Sequence, residues 1–431
     1  MVLASRAANY QRRTVDDELD ELIAAGAAAI AIEGAKAVGK SATALERIET
    51  AFLLEDPIAR QLVEADPRRL DTGRPVLVDE WHHLPVTWDV VRRAVDAGAA
   101  PGQFLLTGSM SALNPGTHSG AGRIVTVRMR PMALCERGVG EPSVSLAELL
   151  TGRRAEVGGE TDVDLERYVD EVARSGFPDI RTKADRLRRA QLRGYLQRVI
   201  DRDFPDIRGR RVRNPAALRR WLAAYAAATA TVTSYERVRD AATSGEGDKP
   251  SRTATQPYRD TLEALYILDP VPAWLPTSNH IAELASAPKH HLVDPALAVT
   301  LLGLGPGALL SGDQGSVPVP RDGAFLGALF ESLVALGVRV FAQAAEASVG
   351  HLRTHRGEHE IDLIVEREDG KVVAIETKLS GTVDDADVKH LRWLGSELGT
   401  DLLDAVVVTT GPYAYRRPDG IAVVPAALLG P

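Results

Sequence analysis

Eight consecutive residues, Gly34-Ala35-Lys36-Ala37-Val38-Gly39-Lys40-Ser41, have the types and spacing of a phosphate-binding loop, GxxxxGK[ST]. Gly34 and Gly39 let the backbone curl so that successive N–H groups point at phosphate oxygens. The N-terminus of the following helix adds partial positive charge. Lys40 would reach the β- and γ-phosphates, and the Ser41 hydroxyl would ligate a metal ion. The implied ligands are ATP and Mg2+. A chance glycine-rich turn is the competing reading. It does not explain why an apolar run, Ala27 to Ile32, precedes the loop and a helix-like stretch, Ala42 to Phe52, follows it.

Further along, Asp79 and Glu80 close a short apolar run that begins at Pro75. Beside such a loop the first acid would hold the Mg2+ and the second would orient and deprotonate the attacking water. Without the loop, the pair would read as two acids ending a strand in solvent. Thr107 and Ser109 end the next apolar run, where a hydroxyl would bond the γ-phosphate or the water, or simply cap a turn. Arg123 follows a glycine-rich loop, Asn114 to Gly122. It reads either as an arginine finger, in cis or in trans, or as an exposed structural arginine. His82 and His83 read as loop residues.

A second constellation lies near the C-terminus. Asp362 sits in an apolar run that opens with His359-Glu360, and a later run, VVAIETK, ends in Glu376-Thr377-Lys378. An Asp followed across a hairpin by Glu-x-Lys is the pattern of PD-(D/E)xK nucleases. Asp362 and Glu376 would converge on Mg2+, which prefers hard oxygen ligands. Lys378 shares a strand face with Glu376 and would orient water or stabilise developing charge. Glu331, in the preceding helical stretch, is the candidate for an additional acid. The alternative is a nuclease-like fold retained for binding, with Asp362, Glu376 and Lys378 as a surface charge cluster.

Alternation of strand-like and helix-like stretches positions the first set. A helix is expected over 10–26, a strand into the loop, largely helical residues over 42–65, and strands at 75–80, 103–107 and 123–130. That order implies a parallel, doubly wound α/β sheet. Helical periodicity dominates from 160 to 240, and a further helix is expected from Thr253 to Leu268. A helical lid and a winged-helix module both fit this middle region. Beyond Lys289 a helix from Gly323 to Leu336, strands at 339–342, 351–355, 360–365 and 372–377, a helix from Asp384 to Leu398 and a strand at 403–409 form a second α/β domain.

The chain has 431 residues, 45% hydrophobic and 26% charged, which suits a globular protein of several domains. The net charge of −8 argues against bulk electrostatic attraction to nucleic acid, though arginines cluster between Arg181 and Arg220. They would bind DNA, solvate a helix face, or pair with Asp201, Asp203 and Asp206. No apolar run is expected to reach the ~18 residues that span a bilayer, and no signal peptide is expected. Cys135, the single cysteine, excludes an intrachain disulfide, fits a cytoplasmic location and is expected to be buried.

Over nearly its whole length the sequence resembles a bacterial and archaeal family of AAA-fold ATP-binding proteins with a C-terminal nuclease-like domain of unknown function. The resemblance rests on Tyr10 and Arg12, Gly34 to Ser41, VLVDEWHHLP with Trp88, LLTGSM, Gly122-Arg123, RPMALCE, the segment Tyr195 to Asp203, KHHLVDPAL, GALFESLV, IDLIV and IETK. The family's loop usually begins Gly-Pro-Arg, where this chain has Gly34-Ala35-Lys36. Trp81 and His82 stand where an aliphatic residue and Gln are usual. The resemblance implies an AAA-like P-loop ATPase domain over 1–145, a helical or winged-helix module over 146–285 and a PD-(D/E)xK nuclease-like domain over 286–431. It implies an ATPase switch with a nuclease-like module and no particular substrate; the leading reading of the sequence is an ATPase whose nucleotide state controls the C-terminal module, acting on nucleic acid. A non-nucleolytic, ATP-dependent regulator that binds DNA or a protein partner is the alternative. A second copy of the chain is a further candidate partner.

Overall fold

The computed structural model describes residues 2–3, 10–110, 121–205, 214–243, 252–275, 287–311, 323–354 and 357–431. Most of the expected loop over 114–122 and of the 305–321 stretch, all of the 244–251 loop, Asp206 and the arginines of 208–213 lie outside these residues. The chain divides into two compact units. One comprises residues 1–131 with 260–267, the other 132–259 with 268–431.

The first unit is built on six strands: β1 (Val2–Leu3), β2 (Ala29–Glu33), β3 (Thr50–Leu53), β4 (Val76–Asp79), β5 (Phe104–Gly108) and β6 (Val125–Arg128). Their spatial order is β1-β3-β4-β5-β2-β6, all parallel except β1, which pairs antiparallel with β3. Helices α1 (Thr14–Ala24), α2 (Lys40–Leu45), α3 (Pro57–Ala65) and α4 (Val86–Asp96) connect them. Continuous apolar strands are the signature of a sheet covered on both faces. Val76, Leu77 and Val78 of β4, and Phe104, Leu105 and Leu106 of β5, are accordingly all buried. Strand β3 departs from the expected helix over 42–65. Thr50-Ala51-Phe52-Leu53 is β-branched and aromatic enough to pair with β4, which limits α2 to six residues.

The second unit holds β7 (Val144–Ser145), β8 (Gly159–Glu160), β9 (Ser348–Arg353), β10 (Glu360–Glu366), β11 (Val372–Lys378), β12 (Leu402–Thr409), β13 (Tyr413–Arg416), β14 (Ala422–Pro425) and β15 (Leu429–Gly430). Seven form a mixed sheet in the order β8-β13-β14-β12-β11-β10-β9, and β7 pairs with β15. Register in the β10–β11 hairpin, with Leu363 opposite Ile375, sets Asp362 beside Glu376 at the end of the ladder. One sheet face packs under the helix Lys389–Leu398 through Leu391 and Leu394 against Ile361, Ile364, Val372 and Ala374.

Three expectations are corrected here. Residues 339–342 are not a strand; they finish the helix Ala324–Ala344. That helix has 21 residues and by length and composition is apolar enough to cross a membrane, against the expectation of no such run. Its most apolar window is 67% buried within the unit, where Leu329, Phe330, Leu333 and Val338 lie in the core. Cys135, expected to be buried, is only partly so.

Candidate functional site

In the first unit the loop after β2 is shaped by its glycines. A Cβ on Gly34 would lie 2.1 Å from the Met129 carbonyl oxygen, so no other residue fits there without moving backbone. Gly39 takes φ 109°, in the left-handed region that favours glycine, and starts α2. Lys40 is buried inside the loop it belongs to, with Nζ donating to Gly34 O at 3.0 Å and Ala35 O at 2.9 Å. Burial pushes its ammonium down to about 8, against the opposing charges of Glu80 and Asp79.

The ends of β4 and β5 converge on this loop. Ser41 Oγ donates to Asp79 Oδ1 at 2.6 Å, and Thr107 Oγ1 donates to the same oxygen at 2.6 Å. Thr107 Oγ1 also accepts from the Glu80 N–H at 3.1 Å. Glu80 adopts φ 52°, an uncommon conformation for a side-chain-bearing residue, and turns its carboxylate onto Ser109. It accepts from the Ser109 N–H at 3.1 Å and from the Ser109 hydroxyl. Burial opposes its charge, but Lys40 and the Ser109 donors outweigh that and hold the carboxyl below its ordinary value. His82 Nδ1 lies 3.2 Å from Glu80 Oε2, and burial pushes that imidazole down to about 4, so it is neutral at pH 7. Trp81 is buried at the sheet end beside Trp88, with ring centroids 4.6 Å apart and planes tilted by 39°.

Lys40, Ser41, Asp79, Glu80, Thr107 and Ser109 therefore meet at one edge of the parallel sheet. Arg123 does not join them. It is half-exposed, pairs with Asp96 of α4 at 2.9 Å and donates to Ala121 O. The donor set suits Mg2+, because the Ser41 hydroxyl and the Asp79 carboxylate are hard oxygen ligands facing one another.

Several residues around the loop were assigned no role from the sequence, although Tyr10 figures in the resemblance. Tyr10 donates to Asp16 Oδ2 at 2.6 Å and lies 2.8 Å from Thr43 Oγ1 of α2. Arg13 donates to Val38 O and Arg130 O, bracing the loop from outside. Tyr266 donates to Glu33, the last residue of β2, and its ring carries the Arg128 guanidinium at 4.0 Å. It lies 233 positions from its partner in sequence, out of reach of any spacing argument.

In the second unit Glu331 comes from the helix Ala324–Ala344, Asp362 from β10, and Glu376 and Lys378 from β11. The structure brings Glu331 and Asp362 together around a cation that had no role assigned from the sequence. Lys289 Nζ lies 2.9 Å from Glu331 Oε1, 3.0 Å from Asp362 Oδ1 and 3.4 Å from Glu360 Oε1. The other Asp362 oxygen accepts from the Thr377 N–H and hydroxyl, both at 2.8 Å. Lys378 Nζ sits farther off, 3.8 Å from Glu376 Oε2 and 3.9 Å from Asp387 Oδ1. Glu376 Oε1 is buried with no hydrogen-bond partner.

Electrostatics divides these acids. Burial, reinforced by the Asp362 charge, pushes Glu331 up to about 8 and Glu376 well above its ordinary value. Burial also opposes the Asp362 charge, yet Lys289 and the Thr377 donors hold that carboxyl low. The Lys289 ammonium is raised, because Asp362, Glu331 and Glu360 together overcome its burial. The cluster thus pairs the Lys289 ammonium with the Asp362 carboxylate, while burial disfavours the charged forms of Glu331 and Glu376. Among the described residues no group of three or more His, Cys, Asp or Glu is arranged to hold a metal ion. An ammonium already seated between Glu331 and Asp362 does not leave room for a divalent cation there.

Of the arginines from Arg181 to Arg220, Arg181 pairs with Glu171 at 3.1 Å and Arg188 with Asp185 at 2.9 Å, within the unit.

Residues 27–137 match the family described as AAA domain. Residues 165–308 and 326–429 match two families described as domains of unknown function, DUF8612 and DUF4143. No curated protein matches the chain in sequence. Among solved structures the chain is similar to the Walker-type ATPase of Pyrococcus abyssi, with 15% identity and a TM-score of 0.39, over 70% of this chain and 98% of that one. The first unit has the fold of a P-loop ATPase of the AAA type, and its loop is a nucleotide-binding element.

Proposed function

We propose that this chain is a Mg2+-dependent ATPase. The observation that carries the reading is the convergence of Lys40, Ser41, Asp79 and Glu80 at the C-terminal edge of the parallel sheet. The Lys40 ammonium, now held by two loop carbonyls, would transfer to the terminal phosphates. Ser41 and Asp79 would hold Mg2+, which when bound neutralises phosphate charge. Glu80 would accept the proton of the attacking water as its oxygen bonds the γ-phosphorus and the bond to the β-phosphate oxygen breaks. Thr107 fixes the Asp79 carboxylate and Ser109 the Glu80 carboxylate for those roles. Arg123, paired with Asp96, is assigned no step. Titration calorimetry tests the site: Lys40→Ala is expected to lose ATP binding, and parent-like affinity in that variant would refute the assignment.

For the second unit two readings compete: a nuclease-like module under nucleotide control, and a non-nucleolytic regulator that binds DNA or a protein. The Lys289 ammonium between Glu331 and Asp362 favours the regulator. Labelled single- and double-stranded DNA and RNA would be incubated with the protein, Mg2+ or Mn2+, and with or without ATP. No cleavage is expected. Cleavage that disappears in Glu376→Ala would restore the nuclease reading, and Lys40→Ala would then report whether ATP controls it.

A further inference from the structure

The acid cluster of the second unit contains more order than a surface charge patch needs. The Lys289 ammonium offers three N–H donors, and three carboxylates, on Glu331, Asp362 and Glu360, surround it at 2.9–3.4 Å. Its stem is 1% exposed. Its backbone is pinned as well, exchanging two 2.9 Å hydrogen bonds with Val271. The lysine therefore cannot swing out by rotating its own side chain into solvent. Meanwhile Glu376 Oε1, buried beside the cluster, has no hydrogen-bond partner. A buried oxygen without a donor marks a place where the chain's own groups leave a ligand position unfilled.

We infer that Lys289 is the resident cation of this centre, standing where a divalent metal ion would otherwise sit between Glu331 and Asp362 beside Glu376, so that the centre takes Mg2+ or Mn2+ only when the lysine is removed. The physical argument is charge substitution. One buried positive charge satisfies the cluster, and a second cation arriving beside it would meet like-charge repulsion without new ligands. Both Asp362 oxygens are already engaged, one by Lys289 and the other by Thr377. With the ammonium gone, Glu331 and Asp362 lose their donor. Together with the orphaned Glu376 oxygen they present hard oxygen ligands to an ion that prefers them.

The inference deepens the regulator reading of the second unit and fails separately from it. The probe is Mn2+ alone, titrated into nucleotide-free full-length protein and followed by the paramagnetic resonance of the free ion. The parent, Asp362→Asn, Lys289→Met and the double variant Lys289→Met with Asp362→Asn share the same phosphate loop, so differences between them report this centre. The parent is expected to show no Mn2+ site that Asp362→Asn removes. Lys289→Met is expected to gain one such site, bound about tenfold or more tighter than any in the parent, and the double variant to lose it. A site in the parent that Asp362→Asn abolishes would overturn the inference, as would a folded Lys289→Met protein, checked by circular dichroism, that gains none. If Lys289→Met fails to fold, the comparison of parent with Asp362→Asn decides alone. Mn2+ binding by the parent without nucleic-acid cleavage would sink this inference and leave the regulator reading standing.

Discussion

The Ser41 hydroxyl donates to Asp79 Oδ1 at 2.6 Å, joining the phosphate loop to the end of β4 across 38 positions of sequence. The same carboxylate oxygen accepts from Thr107, so Asp79 is oriented from both neighbours before any nucleotide arrives. Asp79→Asn preserves size and removes the charge. It should leave the fold intact and lower ATP turnover by about 10²–10³-fold, the scale of losing one preorganised electrostatic partner. A Mg2+ titration of turnover checks it. Parent-like activity at ordinary Mg2+ would remove Asp79 from the metal site.

Glu80 makes a different prediction because its carboxylate touches Ser109 and not the Ser41–Asp79 pair. Glu80→Gln keeps the side chain's shape: its amide oxygen can accept from the Ser109 N–H while its NH2 donates to the Ser109 hydroxyl. It should bind ATP as the parent does and hydrolyse it roughly 10²–10⁴-fold more slowly, the usual worth of a positioned base. Single-turnover hydrolysis beside calorimetric binding separates the two effects. Unchanged single-turnover rate excludes Glu80 as the base.

How much of this was legible in the sequence depended on range. The phosphate loop is a local pattern, and its strand and helix neighbours are local too, so Gly34 to Ser41, Asp79 and Glu80 could be read directly. Strand β3 was missed because four residues between two helical stretches give no period of their own; their pairing with β4 decides the conformation. Residues 339–342 differ for the opposite reason, since the short run Arg339-Val340-Phe341-Ala342 is absorbed into a long helix by its packing. Lys289 lies 42 positions from Glu331 and 73 from Asp362. It opens the stretch that reads as the start of a new unit, and only the fold sets it among acids. Tyr266 and Glu33 meet for reasons equally remote from any motif.

Gly34 yields a steric prediction. Its added Cβ would meet the Met129 carbonyl oxygen at 2.1 Å, an atom fixed by a 2.7 Å hydrogen bond from the Met129 N–H to Glu33 O one residue away. The backbone, not a flexible side chain, would have to move. Gly34→Ala should therefore cost at least about 1–3 kcal/mol of stability, the range for overpacking a closed site, and should weaken ATP binding as the loop shifts. Chemical denaturation and calorimetry measure both. Parent-like stability would mean the loop has slack that the packing does not show.

In the second unit Arg137 and Glu171 form a fully buried pair at 3.3 Å, with Arg181 at 3.1 Å and Arg167 at 3.0 Å on the same carboxylate. Arg137→Ala removes the one fully buried cation of that set together with its bonds to the Met132 and Glu171 carbonyls, so it should destabilise the protein by about 3–5 kcal/mol. Arg137→Met with Glu171→Leu, which removes both charges, should recover part of that loss. Equilibrium denaturation of the three proteins checks the difference. Equal stability of parent and Arg137→Ala would mean that Arg167 and Arg181 alone satisfy Glu171.

Lys40 carries the pH prediction. Burial lowers its folded-state value from 10.5 to about 8. Below pH 8 both folded and unfolded forms are protonated, and stability has no slope from this group. Between about pH 8 and 10.5 the unfolded chain binds the extra proton, so this group makes the nucleotide-free protein more stable as pH rises. ATP reverses the balance, because a triphosphate beside the amine favours its charged form. Binding should therefore take up a proton, close to none at about pH 7 and approaching one at about pH 9. Calorimetry in buffers of different ionisation enthalpy counts that proton. No uptake at either pH would mean that Lys40 is already charged in the empty loop, held so by Glu80 and Asp79 more strongly than burial opposes it.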